Sequence, residues 1–155
     1  MSKSKRDDRY LEQVEKLLDM SSWFVIDIFP EQIRKENADQ YFKVEKYYLK
    51  TKEVKRICHK FINIILKLNC YYDFYICFHK KWRKNPKPDK VAKWIKKCML
   101  DKKGSINILL DNEKTLLTID RDDLCFSIYH PSEEFKSIVL QLAKSEGLYL
   151  REVRE

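Results

Sequence analysis

SINILLDNEKTLLTIDRDDLCFSIY, residues 105–129, holds three runs rich in β-branched, aromatic and leucine residues: Ser105 to Leu110, Thr115 to Asp120 and Leu124 to Tyr129. Asp111-Asn112-Glu113-Lys114 separates the first two and Arg121-Asp122-Asp123 the last two. Both connectors are short and rich in Asp and Asn, which bond their own backbone and tolerate tight turns, so the spacing predicts an antiparallel three-strand meander. Beyond it, Pro131 or Ser132 opens a helix with Glu133 and Glu134 in its first turn and Ile138, Val139 and Leu142 on its apolar side. Gly147 ends that helix, and Leu148 to Val153 is read as an edge strand.

Toward the N-terminus, Gly104 is read as closing a helix that Asp89 caps and that runs to about Leu100. Val91, Trp94, Ile95, Cys98 and Met99 form its apolar arc, while Lys90, Lys93, Lys96 and Lys97 take the opposite one. Tyr72 to Phe78 is a strand that His79 to Lys81 turns into a second strand around Trp82, stopped by Asn85, Pro86 and Pro88. From about Asp39 to Asn69 the pattern is helical, with a break near Thr51. Val54, Ile57, Cys58, Phe61, Ile64, Ile65 and Leu68 recur at helical spacing and mark the main core helix. Trp23 to Phe29, stopped by Pro30, is apolar on both faces except for Asp27 and is expected inside a sheet. Residues 6 to 20 form a helix with Leu11, Val14, Leu17 and Leu18 on one face. The whole predicts an α+β fold: a mixed or antiparallel sheet with a C-terminal three-strand meander, packed on a long central helix and a C-terminal helix. At 155 residues this is one domain, 1–155, with residues 1–5 expected to lack fixed structure.

Composition excludes several chemistries. The only glycines are Gly104 and Gly147, too few for a phosphate-cradling loop, so no nucleotide cofactor is expected. Gly-x-Ser-x-Gly, His-Glu-x-x-His and Cys-x-x-Cys are absent from the sequence. Five cysteines, an odd number without paired short spacing, read as reduced thiols. Cys77 and His79 lie two apart on a strand, but adjacent helical residues such as Cys58 and His59 diverge by about 100°, so no metal centre is expected. Met1 to Arg9 has no apolar run behind its charges and no segment has the length of a membrane span, so a cytoplasmic protein is expected.

What remains is charge. His79 to Lys103 carries eleven Lys or Arg against Asp89 and Asp101, a net of +9, whereas the rest of the chain, with 21 basic and 22 acidic residues, nets −1. Lys outnumbers Arg 24 to 8, so the excess of Lys is not by itself a phosphate-binding signal. The clustering points to a non-enzymatic binding protein that meets an acidic protein partner through residues 80–97: Lys80, Lys81, Trp82, Arg83, Lys84, Lys87, Lys90, Lys93 and Lys97. The alternative is single-stranded nucleic acid at the same segment, with lysines on phosphates and flat rings on bases, although the commoner role of Trp82, and at least part of that of Trp94, is packing. A third, enzymatic reading uses His130 as a base oriented by Asp27, Asp73 or Glu45; the blander reading makes Tyr129-His130-Pro131-Ser132 a helix-entry motif.

Four further stretches are WFVIDIFPEQ at 23–32, QYFKVE at 40–45, LKLNCYYD at 66–73 and YHPS at 129–132. Together they resemble an uncharacterised family of small cytosolic proteins from low-GC Gram-positive bacteria. The resemblance implies a bacterial origin and one domain, and it brings no activity and no catalytic residues. In size and element order the chain is also faintly similar to bacterial immunity and antitoxin-type proteins, a likeness of fold only.

Overall fold

The computed structural model describes residues 3–110 and 113–154. In chain order it contains α1 (Lys3–Leu18), β1 (Ser22–Asp27), a 3-10 turn (Lys35–Asn37), α2 (Ala38–Lys50), α3 (Glu53–Leu68), β2 (Phe74–Phe78), β3 (Lys81–Lys84), α4 (Pro88–Met99), β4 (Ser105–Leu110), β5 (Leu116–Asp120), β6 (Cys125–Tyr129), α5 (Glu133–Ser145) and β7 (Tyr149–Arg154). The seven strands make one sheet in the order β3-β2-β4-β5-β6-β1-β7, antiparallel at every pairing. The fold is α+β, and β4-β5-β6 is the meander read from residues 105–129. Asp111 and Asn112 of its first connector lie outside the described residues.

Helices cover both faces of the sheet, which is why β4 and β5 read as almost unbroken apolar runs. On one face Phe61, Ile64, Ile65 and Leu68 of α3 pack with Val91, Ile95, Cys98 and Met99 of α4, Phe135 and Val139 of α5, and Ile76, Ile108 and Phe126 of the sheet. Phe61 meets Phe126 edge to face, with ring centroids 4.9 Å apart. On the other face α1 lays Tyr10, Val14 and Leu17 over Trp82, Leu109 and Leu116. Thr51 and Lys52 separate α2 from α3, at the expected break, and Ser132 caps α5 by accepting a bond from the Phe135 amide. β7 is the expected edge strand, pairing with β1, which lies one strand inside that edge.

Three expectations change. α1 begins at Lys3, Met1 and Ser2 lie outside the described residues, and the helix lays an apolar stripe on the sheet. That stripe is Tyr10-Val14-Leu17, while Leu11 and Leu18 are 52% and 44% exposed; the rings of Tyr75 and Trp82, 5.1 and 5.2 Å from that of Tyr10, set the helix rotation. Asp89 does not cap α4: Lys87 holds the cap position, and Pro88 opens the helix where its missing N–H costs nothing. Gly104 does not close α4, which ends at Met99. It sits at φ +73° where a Cβ would come within 3.0 Å of the Phe78 ring, so close packing as well as the turn favours glycine.

Candidate functional site

β2 and β3 form a hairpin whose turn residues, His79 and Lys80, have φ of 56° and 65°, the left-handed pair that suits a two-residue turn. Alternation along β3 then sorts its side chains. Lys81 and Arg83 pair with Phe78 and Ile76, which belong to the α3-α4 core, so both point to the α4 side. Trp82 and Lys84 pair with Cys77 and Tyr75 on the α1 side. On α4, Trp94 packs 5.8 Å from the Phe78 ring, and Lys90 and Lys97, four residues before and three after it, share its flank. Edge strand and helix therefore place Lys81, Arg83, Lys90 and Lys97 on the same side of the sheet, with Lys87 at the entry of α4 and Lys93 on its solvent crest. None of these six makes an ion pair with a carboxylate among the described residues.

The other sequence candidates separate from that surface. Lys84 pairs with Asp73 at 3.7 Å on the α1 side. Lys80 lines a groove of about 540 Å³ beside the start of α1, together with Asp7, Asp8, Cys77 and His79. Trp82, grouped with the basic residues of the segment, takes the packing role expected of it and no place on that surface: only 6% exposed, it lies against Tyr10. Lys102 pairs with Asp122 at 3.4 Å, beyond the surface.

His130 is exposed, at φ 57°, and its Nδ1 lies 3.0 Å from the Lys114 carbonyl oxygen. It lines a shallow depression with Gln13, Leu17, Met20 and Lys114, and no carboxylate among the described residues bonds to it. Cys77 and His79 face the groove under α1, whereas Cys58 is buried in the other core; no group of three or more His, Cys, Asp or Glu among the described residues is placed to hold a metal ion. No helix among them is long and apolar enough to cross a membrane.

One site was missed from the sequence. β6, β1 and β7 turn a second set of side chains to the α1 side of the sheet, beyond the end of α1: Cys125 and Ser127, then Trp23, Val25 and Asp27, then Arg151 and Val153. The segment leaving β1, through Phe29 and Ile33, and the start of α2, through Ala38 and Tyr41, roof this floor and leave a cavity of about 410 Å³. Asp27, the odd member of its strand, is 5% exposed. Its Oδ2 accepts from Arg151 Nε at 3.2 Å and Nη2 at 2.7 Å, and its Oδ1 accepts from the Ile28 amide at 2.7 Å. Burial, then repulsion from Asp27, pushes the Cys125 thiol up to about 12, so it is no nucleophile at neutral pH. Burial, then the hydroxyl's bond to Glu45, raises Tyr41 as well, and that 3.0 Å bond leaves the cavity chiefly its ring. Apart from the lone Asp27, no motif marks these residues, because they come from three strands and a loop.

Asp123, in the β5-β6 turn, shows a separate effect. Partial burial of its carboxyl, then repulsion from Asp120, Glu45 and Asp122, pushes it up to about 6. An acid whose folded pKa exceeds its unfolded one binds its proton more tightly when folded, so the penalty is absent at pH 3, grows through the interval to pH 6 and is complete above it. Asp123→Asn is expected to raise the thermal midpoint at pH 7.5 and to leave it nearly unchanged at pH 3, by differential scanning fluorimetry. The residue is exposed, which keeps the gain small.

No family model, curated protein or solved structure matches the chain.

Proposed function

We propose that the chain is a binding protein that docks an acidic protein surface against α4 and the β3 edge. The observation that carries this reading is that Lys81, Arg83, Lys87, Lys90, Lys93 and Lys97 lie on one side of the sheet, without carboxylate partners among the described residues. Asp89 is the acidic residue within this group. Unpaired cations on a rigid helix and strand raise the encounter rate with an acidic surface and set its orientation. Nucleic acid is the weaker reading because Trp82 is buried and Trp94 packs partly on Phe78, which leaves few rings to stack on bases.

The test is a fluorescence-anisotropy titration with a labelled Glu-rich 20-mer peptide and with an oligo-dT of equal charge, at 50 and 300 mM salt. The peptide is expected to bind more tightly than the oligo-dT at both salts, and Lys87, Lys90, Lys93 and Lys97→Glu together should weaken it at least 100-fold at the lower one. Reversal of Lys84 and Lys102, already ion-paired, should change it less than threefold. Peptide binding that ignores the α4 reversals, or tighter binding of the oligo-dT, would reject the acidic-protein assignment.

A further inference from the structure

We infer that the cavity over β6, β1 and β7 is a binding site for a small aromatic carboxylate. At about 410 Å³ it falls in the lower part of the range of small-molecule sites and has room for one or two rings. Its walls are flat and apolar: Trp23, Val25 and Val153 in the floor, Phe29, Ile33 and Tyr41 in the roof. The floor is also stiff, since Trp23 stacks on Tyr129 at 5.9 Å and the three strands are paired along their length. A planar hydrocarbon fits between such surfaces without reorganising them.

The polar groups select the sign of the ligand. Asp27 is the one acid in the lining, against Arg34, Lys35 and Arg151, while Glu45 and Asp123 act on Tyr41 and Cys125 from behind the walls. Asp27 is already committed to Arg151 and to the Ile28 amide. Arg151, with 18% of its side chain exposed, gives Asp27 bonds through Nε and Nη2, and its remaining N–H donors have no acceptor among the described residues. A guanidinium held in place by a buried carboxylate presents those donors in a fixed direction, where an anion accepts from them more strongly than water does. Arg34 and Lys35 stand exposed at the rim and add attraction at entry. The raised Cys125 thiol is not a nucleophile at neutral pH, in keeping with reversible binding.

Isothermal titration with 2-naphthoate and its neutral analogue 2-naphthalenemethanol tests this. The carboxylate is expected to bind in the micromolar range, at least tenfold more tightly than the alcohol. Ser127→Phe, which fills the floor, should abolish carboxylate binding. Arg34→Glu with Lys35→Glu, at exposed positions that keep the fold, should weaken the carboxylate at least tenfold and leave the alcohol within twofold. Charge reversal on α4, across the sheet, should leave the naphthoate titration unchanged, which separates this site from the docking surface. Equal affinity for the two compounds, no naphthoate binding at millimolar concentration, or binding that survives both the rim and the filling variants would overturn the inference. If Ser127→Phe does not fold, the rim variant alone decides.

Discussion

Trp82→Ala is expected to destabilise the protein by about 3–5 kcal/mol, the cost of a cavity where a large aromatic has been removed from a core. Trp82 is 6% exposed and sits on an edge strand of only four residues, so its ring is the main apolar anchor that β3 offers the rest of the molecule. It meets Tyr10 at 5.2 Å, and Tyr10 meets Tyr75 at 5.1 Å. Loss of the indole should therefore loosen α1 and β3 together. Urea unfolding gives the total cost, and amide exchange should show the added opening concentrated in Tyr10, Val14 and Leu17 and in the hairpin. A cost below about 1 kcal/mol, or exchange that rises uniformly, would contradict this packing. Below its unfolding transition the variant should still bind the Glu-rich peptide, since Trp82 faces α1 and the docking cations face α4; a base-stacking Trp82 would instead lose oligo-dT binding selectively.

Arg151→Leu is the second large effect, at about 3–5 kcal/mol near pH 7, because it leaves the buried Asp27 carboxylate without its counter-charge. The Ile28 amide alone does not compensate a charge this far from water. Asp27→Val combined with Arg151→Leu removes both charges and should recover much of the loss, since a well-packed apolar pair substitutes for a buried ion pair at little net cost. Denaturant unfolding of the two single variants and the double closes the cycle, and the coupling between the two sites should exceed about 2 kcal/mol. Additive losses would mean that Asp27 and Arg151 act independently, contrary to their 2.7 Å contact. Naphthoate binding in the double variant should also vanish, as the guanidinium is gone while the apolar walls remain.

Several features of the fold were legible in local chemistry. The three meander strands, the α2-α3 break at Thr51, the two-residue turn at His79 and Lys80 and the capped start of α5 each depend on residues within a few positions of one another. α3 was legible because an apolar stripe repeated at helical spacing has one way to be buried. The errors at α1 and α4 have one origin. Leu11 and Leu18 satisfy a helical pattern as well as Tyr10 does, and Asp89 is a better cap by residue type than Lys87, yet the partner surface and Pro88 chose otherwise.

The same division runs through the candidate sites. Clustered charge between His79 and Lys103 was visible because it is local in the chain, but strand alternation and a tertiary contact sorted it, sending Lys81 and Arg83 toward α4 and burying Trp82 beneath α1. The cavity was invisible for the opposite reason, since Asp27 and Arg151 are 124 residues apart and become neighbours through the β1-β7 pairing. The sequence by itself determined the elements, the turns and the amount of charge in one segment, because those follow from neighbours along the backbone. The tertiary structure decided which cations share a side of the sheet, which aromatic rings are buried and that a guanidinium faces an apolar cavity, because those depend on strand order and register between distant parts of the chain.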